Sequence, residues 1–250
     1  MSKSLDPASL VPMDIFSGDF SLRIELAYAQ SNNLLLGEAI YRRNARLWLH
    51  EDLARIVLLA CRICRKNHGF HMVLYDGLRT VEAQQKMLET VRVQQNPHWL
   101  EEPRLLSPPG AGGHPRGMAI DIALETPQGQ LLDMGTPFDF LAENAMPEHN
   151  PAHRQHSGLT ANIRQNRHIL ENVMMQAAQI LNIPLLPLPQ EWWDFRLPSS
   201  IYERYNPLSD ADLPRQMRMT DKISENNMPD FLPAHFEKLR TRLMSQTNSL

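Results

Sequence analysis

The sequence has few cysteines, no excess of basic residues and no long apolar run, and each shortage excludes a class of protein. Two cysteines in 250 residues cannot form a disulfide-rich scaffold. The 25 Lys and Arg residues against 28 Asp and Glu residues give no basic surface for nucleic acid or for an anionic membrane. No stretch reaches the roughly 18 apolar residues of a membrane-spanning helix. The sequence therefore predicts a globular protein that binds neither nucleic acid nor membrane.

The two cysteines, Cys61 and Cys64, form a CxxC motif, which elsewhere can mark a redox pair or half of a zinc site. Here they lie in an apolar pattern of helical spacing, and the sequence has no second CxxC. We interpret both as small apolar side chains of a helix. Residues 1–12 contain one Lys and no apolar run typical of a secretory signal, so a cytoplasmic location is predicted by default.

The chain reads as one domain over residues 1–250, because 42% of its residues are hydrophobic and no linker divides it. Its core covers about residues 20–208, and a polar extension over 209–250 ends in a helix. Helices are predicted over 50–66, 81–93, 160–181 and 231–244, strands over 70–75, 118–124 and 191–195, and an extended hairpin or loop layer over 23–41. This irregular alternation favours an α+β fold with a central, mostly antiparallel sheet flanked by helices.

The segment Gly113–Asp121 is the first that indicates chemistry. His114 lies on a glycine-rich loop, and Asp121 follows seven residues later on an apolar strand. Imidazole nitrogen and carboxylate oxygen are both good ligands for Zn²⁺. Spacing alone leaves two interpretations open: a pair of metal ligands at the sheet, or an Asp121 that pairs with Arg116 or caps a turn.

The second segment, Gln190–Arg196, places two acids around a pair of tryptophans. In an extended chain Glu191 and Asp194 point to opposite faces. They can share a site only if the backbone twists or bulges between them. The alternative is that the tryptophans are core or rim residues and the acids pair with Arg196 and a neighbour.

Arg79 forms the third feature, because it stands directly before Thr80, where a helix is predicted to begin. Its planar guanidinium suits bidentate binding of an oxyanion or a carboxylate. A surface ion pair is the alternative interpretation.

Together the three segments resemble the vancomycin-resistance-type D-alanyl-D-alanine dipeptidases, which are related to the zinc DD-carboxypeptidases. In that family Asp-Gly-Tyr-Arg-Pro, Ser-x-His-x-x-Gly-x-Ala-x-Asp and Glu-Trp-Trp-His follow one another in this order. Here Asp76–Thr80, Gly112–Asp121 and Glu191–Asp194 occupy the same order, and the resemblance covers roughly residues 20–200. It extends to Tyr28-Ala29, Asn32-Asn33, Asp133–Asp139 and Asn166-Arg167.

This resemblance implies a metallo-dipeptidase with one Zn²⁺ per chain, held by His114, Asp121 and Asp194. It also implies that Glu191 is the general base and that Arg79 stabilises the tetrahedral oxyanion. In such a reaction the ion polarises the scissile carbonyl and lowers the pKa of a bound water. The base then takes the proton of that water and passes it to the leaving amine.

The resemblance further implies a small dipeptide as substrate, bound by Tyr28, Asp139, Gly112 and Trp193. Asp139 would hold the free amino group of the dipeptide. Gly112 departs from the family, in which a Ser contacts the substrate at this position. Losing that hydroxyl is expected to widen the pocket.

A second departure is Asp194, which stands where the family has a His. One His and two carboxylates leave a Zn²⁺ site formally neutral, which weakens the ion as a Lewis acid. Slower chemistry, Mn²⁺ or another divalent ion in place of Zn²⁺, and loss of activity are the open consequences. No spacing selects His153, His156 or His168 as a replacement, so Asp194 is the predicted third ligand.

The third departure is milder: Leu78 and Thr80 replace the family's Tyr and Pro beside Arg79. The predicted function is metal-dependent hydrolysis of D-Ala-D-Ala, or of a closely related small D-amino-acid dipeptide, in peptidoglycan metabolism. One alternative is a catalytically weak or inactive peptidase-like protein that binds muropeptides or a partner. Another is a carboxypeptidase that acts on longer stem peptides. The sequence does not specify the oligomeric state, and a homodimer is compatible with it.

Overall fold

A computed structural model describes residues 2–221 and 228–248 of the chain. The strands are β1 (Leu10–Pro12), β2 (Leu22–Ile24), β3 (Trp48–His50), β4 (His71–Asp76), β5 (Ala119–Glu125), β6 (Leu186–Pro187) and β7 (Asp194–Arg196). The α-helices are α1 (Glu51–His68), α2 (Val81–Glu89), α3 (Val91–Gln94), α4 (Ala161–Leu181), α5 (Ser199–Tyr202) and α6 (Pro233–Asn248). Short 3-10 helices occupy Pro7–Ser9, Met13–Phe16, Ala27–Ala29, Pro97–Leu100, His114–Arg116, Asp210–Asp212 and Arg215–Met217.

The central sheet has five strands in the order β2-β4-β5-β7-β6. Its β2–β4 pair is parallel, and the other three pairs are antiparallel. β1 and β3 form a separate antiparallel pair. The predicted single-domain α+β fold with a mostly antiparallel sheet is therefore confirmed.

The two long helices, α1 and α4, pack against each other and contact the central strands β4 and β5. α1 ends at Gly69, whose φ of 74° is the left-handed conformation that favours glycine at a helix end. α4 begins at Thr160, whose hydroxyl accepts a hydrogen bond from the Ile163 amide. Cys61 and Cys64 are unpaired and buried on α1, as the apolar interpretation predicted.

The predicted helix over 81–93 is wrong in its continuity, because the chain breaks at Thr90 into α2 and α3. Thr90 is extended, with ψ at 143°, and its hydroxyl donates to the Met87 carbonyl that closes α2. Thr80 does stand at the N-cap of α2, but its hydroxyl makes no capping hydrogen bond.

The stretch 23–41 forms a loop layer and not a hairpin. Only its first two residues belong to a strand, β2, which pairs parallel with β4. The Asn33 side chain then closes the turns by accepting from the Leu36 amide and donating to the Gln30 and Glu38 carbonyls.

The C-terminal helix α6 agrees with the helix predicted over 231–244, and it packs against α1 and β1 through the buried residues Leu239 and Leu243. Residues 222–227, inside the predicted polar extension, lie outside the described residues. In the described ranges no helix combines the length and the apolar character needed to cross a membrane.

Candidate metal and catalytic site

Three buried aspartates lie side by side across neighbouring strands of the sheet. Asp121 of β5 pairs with Asp76 of β4 on one side and with Asp194 of β7 on the other. A register shift after Leu74 brings Asp76, in place of Tyr75, opposite Asp121. Like charges directly opposite on adjacent strands repel each other, so this aspartate row needs positive charge close by.

His114 reaches the aspartate row from the glycine-rich loop before β5. Its 3-10 turn ends at Gly117, where φ is 62°, and the chain then enters β5. Gly113 permits a close crossing, because a Cβ there would lie 2.8 Å from the Met118 carbonyl oxygen. The Nδ1 atom of His114 lies 2.8 Å from the Gly77 carbonyl oxygen. Since a carbonyl only accepts, Nδ1 donates this hydrogen bond, and Nε2 is the ring nitrogen turned toward the aspartate row.

The Nε2 atom of His114 faces two carboxylates. It lies 3.6 Å from Asp121 Oδ1 and 3.4 Å from Asp194 Oδ2. Both distances exceed the roughly 2.7–3.2 Å of an N–H···O hydrogen bond. They are close to the roughly 3.3–3.4 Å that separates two ligands bound tetrahedrally to one Zn²⁺ at about 2.0–2.1 Å.

Asp121 Oδ1 gives a second indication of a cation. Among the described residues this buried oxygen has no hydrogen-bond partner. A buried, unpaired carboxylate oxygen costs free energy that a bound cation would recover. One imidazole nitrogen and two carboxylate oxygens form a donor set that Zn²⁺ accepts, so the chemistry of these residues fits a divalent ion. In the part of the chain that the structure describes, the groups whose possible ligand atoms lie within 4.8 Å of one another are Asp76, His114 and Asp121, and Asp121, Glu191 and Asp194.

Glu191 joins the site from a turn, and not from the strand predicted over 191–195. β7 begins only at Asp194, because Trp192 and Trp193 form the turn before it. Trp192 Nε1 donates to Thr136 Oγ1, and the two indole rings pack edge to face. The turn removes the strict alternation of an extended chain. Asp121, Glu191 and Asp194 each offer an oxygen within 4.8 Å of the others.

The three acids of this group do not ionise together. Burial, and then the charge of Asp194, raise the pKa of Glu191 to about 8. The same two causes raise the pKa of Asp121 well above its ordinary value. Burial acts in this direction on Asp194 too, but Arg196 and His114 outweigh it and hold the pKa of Asp194 below its ordinary range.

Arg79 is buried, so its interpretation as part of a surface ion pair is wrong. Its Nε and Nη2 donate to Asp76 Oδ2 at 3.0 and 2.7 Å, and Nη2 lies 3.7 Å from Asp121 Oδ2. Tyr41 donates to the other oxygen of Asp76 at 2.7 Å. The guanidinium carbon also lies 4.8 Å from the ring centre of Tyr28.

The two arginine partners proposed for the acids behave differently. Arg116 donates to the carbonyls of Gly110, Gly112 and Tyr205, so the interpretation in which it pairs with Asp121 is wrong. Arg196 does pair with an acid, because its Nε donates to Asp194 Oδ1 at 2.8 Å and its Nη2 to Oδ2. Asp194 therefore has an arginine partner and also faces His114.

All the predicted site residues line one pocket of about 150 Å³, smaller than the roughly 300–1,000 Å³ of drug-sized sites. They are Tyr28, Arg79, Gly112, His114, Asp121, Asp139, Glu191, Trp193 and Asp194. Their proximity is a property of the structure, and their individual roles stay predictions. The candidate replacement ligands His153, His156 and His168 do not line this pocket.

Ser107 and Arg196 are among the lining residues that were not assigned to the site from the sequence. A Cβ built at Gly112 would lie 3.7 Å from Ser107 Oγ and 3.9 Å from Arg196 Nη1. Ser107 therefore offers a hydroxyl near the position at which the resemblance expects a Ser. Nothing in the local pattern around Ser107 indicates a site, and the sequence offered Arg196 only as an ion-pair partner of the nearby acids.

Asp139 also lines the pocket and has a positive φ of 62°. Its Oδ1 accepts from the Tyr28 hydroxyl at 2.9 Å. Burial raises the pKa of Asp139 to about 7, although Arg79 and the Tyr28 hydrogen bond act in the opposite direction. An acid with this pKa makes the free energy of unfolding depend on pH.

We expect Asp139→Asn to reduce the pH dependence of stability of the metal-free protein. The pKa of Asp139 is higher in the folded state than in the unfolded state, so the folded state binds this proton more tightly. Protonated Asp139 therefore stabilises the fold at low pH, and this contribution is lost as the pH rises through about 7. Allowing for solvent screening, the loss in the parent protein should exceed that in the variant by about 1–2 kcal/mol. Urea unfolding between about pH 4 and 8 measures both curves. Parallel curves would contradict the raised pKa.

The chain is similar to a family model, to a curated protein and to a solved structure. The Peptidase_M15 family model, described as D-ala-D-ala dipeptidase, matches residues 7–210. The chain is 30% identical over 195 residues to D-alanyl-D-alanine dipeptidase of Escherichia coli (strain K12), covering 78% of this chain and 88% of that protein. Among solved structures, the L-Ala D-Glu endopeptidase ChiX of Serratia marcescens has a TM-score of 0.35 and 14% identity, over 72% of this chain and 93% of that one.

Proposed function

The chain belongs to the Peptidase_M15 family of D-ala-D-ala dipeptidases, and we propose that this peptidase hydrolyses D-Ala-D-Ala, or a closely related small D-amino-acid dipeptide, with a divalent metal ion. One observation carries the proposal beyond family membership. His114 Nε2 faces the carboxylates of Asp121 and Asp194, with Glu191 beside them. Peptidoglycan metabolism and a cytoplasmic location complete the proposal.

His114, Asp121 and Asp194 would hold the ion, with Zn²⁺ as the first candidate and Mn²⁺ as the alternative. When bound, such an ion polarises the scissile carbonyl and makes a coordinated water more acidic. Glu191 supplies the base, because its carboxylate lies beside the predicted ligands, with oxygens of Asp121, Glu191 and Asp194 within 4.8 Å of one another. It takes the proton of the attacking water and delivers it to the leaving amine.

Arg79 supplies fixed positive charge for the oxyanion. Asp76 takes two of its five N–H groups, and Tyr41 holds the other oxygen of Asp76, so the guanidinium is oriented before substrate arrives. A preoriented charge stabilises the transition state without reorganisation during the reaction.

Asp139 and Tyr28 favour a dipeptide over a longer peptide. A carboxylate held at the pocket by a tyrosine hydroxyl suits a free ammonium group, which a dipeptide presents next to its only peptide bond. A carboxypeptidase that acts on stem peptides has no ammonium group at that position. Trp193 also lines the pocket and offers an apolar surface suited to a methyl side chain.

We expect D-alanine release from D-Ala-D-Ala to stop after chelation and to return with Zn²⁺, Mn²⁺ or Co²⁺. N-acetylation of the substrate should lower kcat/KM at least about 30-fold, since leaving one partner of a buried charge pair unpaired costs about 2 kcal/mol or more. L-Ala-L-Ala and a stem pentapeptide serve as comparison substrates. Efficient cleavage of the acetylated dipeptide or of the pentapeptide would favour the carboxypeptidase.

The alternative of an inactive, muropeptide-binding protein is motivated by Asp194 and Gly112. It predicts no D-alanine release with any of the three ions and no rise in Tm when an ion is added. A ligand that binds only the native state must raise Tm. Calorimetry with and without Zn²⁺ therefore separates a metal-binding enzyme from a metal-free binding protein.

A further inference from the structure

The carboxylate of Asp194 stands where the resemblance expects a neutral imidazole. The site therefore contains one more negative charge than the family pattern implies. The side chain is buried, and it lies beside the acids Asp121 and Glu191. Adding one anion to such a group would normally destabilise the metal-free protein and change the charge of a bound metal centre. Asp194 therefore requires a compensating cation from this chain.

Arg196 is that cation. It lies two residues after Asp194 on β7, so both side chains project from the same face of the strand. Its Nε donates to Oδ1 and its Nη2 to Oδ2, a fork that neutralises the carboxylate and sets its orientation. The charge of Asp194 in turn raises the pKa of Arg196 above its ordinary value, against the effect of burial.

The fork leaves Asp194 able to bind an ion. A carboxylate has about four lone-pair sites, and Arg196 takes one on each oxygen. Oδ2, which lies 3.4 Å from His114 Nε2, keeps a second lone pair. Pairing with arginine and ligation of a metal are thus compatible on the same side chain.

We propose that Asp194 and Arg196 act together as one neutral ligand unit in place of an imidazole, with Arg196 as the positioning residue. This inference rests on the proposed function. A divalent ion on His114, Asp121 and this unit has a net charge of +1, the same as two imidazoles and one carboxylate give. The expectation of a formally neutral site, drawn from the sequence, counted Asp194 without Arg196.

Gly112 belongs to the same adaptation. Arg196 Nη1 would lie 3.9 Å from a Cβ at this position, and Ser107 Oγ would lie 3.7 Å from it. The backbone there has φ of 83°, which disfavours a residue with a side chain. The space that a serine would use is therefore bordered by the guanidinium and by another hydroxyl.

The proposal makes an unusual prediction for Arg196→Met. Loss of the guanidinium leaves Asp194 without its counter-charge, so the metal-free protein should have a lower Tm. A divalent cation should nevertheless bind at least about tenfold more tightly, because a competing positive charge is gone. The rise in Tm on adding Zn²⁺ should then exceed that of the parent protein. An arginine with only a structural role would give weaker binding.

The complementary change, Asp194→His, should weaken Zn²⁺ binding at least about tenfold, because it leaves the Arg196 charge beside the ion uncompensated. The double variant Asp194→His/Arg196→Met restores a neutral ligand and should return the affinity to within about threefold of the parent. Competition with a chromogenic chelator measures all four proteins as a double-mutant cycle. Arg196→Lys keeps the charge and should stay near the parent affinity.

Arg154→Met is the matched control. Arg154 also contacts Asp194, but through the backbone carbonyl at 2.9 Å, and its own charge is paired with Glu171. Its loss should lower Tm without tightening Zn²⁺ binding. Weaker binding in Arg196→Met, or a double variant that binds Zn²⁺ as weakly as Asp194→His alone, would overturn the ligand unit. Absence of Zn²⁺ binding by the parent protein would instead overturn the proposed function.

Discussion

Replacing Glu191 by Gln should lower kcat by about 10²–10⁴-fold, the contribution of a positioned general base. Gln has the same shape but cannot accept the proton of the attacking water. The turn at Trp192 and Trp193 and the hydrogen bond to Thr136 remain, so the backbone that presents residue 191 should not move. D-alanine release under saturating D-Ala-D-Ala, with the ion content measured on the same sample, tests the assignment.

Ion content separates a base from a ligand. Glu191→Gln should still bind one ion per chain, because His114, Asp121 and Asp194 are unchanged. Glu171→Gln is the control, since Glu171 pairs with Arg154 outside the pocket and its change should leave kcat near the parent value. A Glu191→Gln protein that turns over normally would remove Glu191 from the mechanism, and one that loses the ion would make it a ligand.

The second large effect is expected for His114→Ala, which should weaken metal binding by more than about 100-fold. Changing groups that merely orient a ligand costs about 10–100-fold in affinity, and removal of the ligand itself should cost more. Activity should fall with ion occupancy and recover partly at high Zn²⁺ concentration. Chelator competition gives the affinity, and calorimetry of the metal-free protein shows whether the fold survives the loss of the bond between His114 Nδ1 and the Gly77 carbonyl.

His168→Ala provides the matched histidine control. His168 is exposed on α4 and contacts Asn172, and it does not line the pocket. Its loss should change neither affinity nor activity. Unchanged affinity in His114→Ala would show that the ion, if bound at all, lies elsewhere.

Elements with regular apolar spacing could be predicted from the sequence with little error. The patterns that indicated helices at 50–66 and 160–181 correspond to α1 and α4, and the run at 118–124 corresponds to β5. In these elements local periodicity and tertiary burial agree. The three segments that carry the predicted site residues occur in the same order as the motifs of the family. The residues that meet in the pocket could therefore also be named from the sequence.

Features that depend on contacts distant in sequence could not be predicted. The turn at Trp192 and Trp193 exists because Thr136 and the paired indoles stabilise it, and the shift that brings Asp76 opposite Asp121 is a property of strand pairing. The role of Arg196 could not be predicted for a different reason. The sequence set ion pairing and metal ligation as alternatives, whereas the lone pairs of one carboxylate permit both.

The aspartate row has a consequence for how the protein is studied. Asp76, Asp121 and Asp194 come together only when β4, β5 and β7 pair in the native register, since a slip by one residue turns a side chain to the other face. A misregistered sheet could keep its secondary structure and still bind no ion. The number of ions bound per chain would therefore count natively folded molecules in a preparation, which circular dichroism alone would not distinguish.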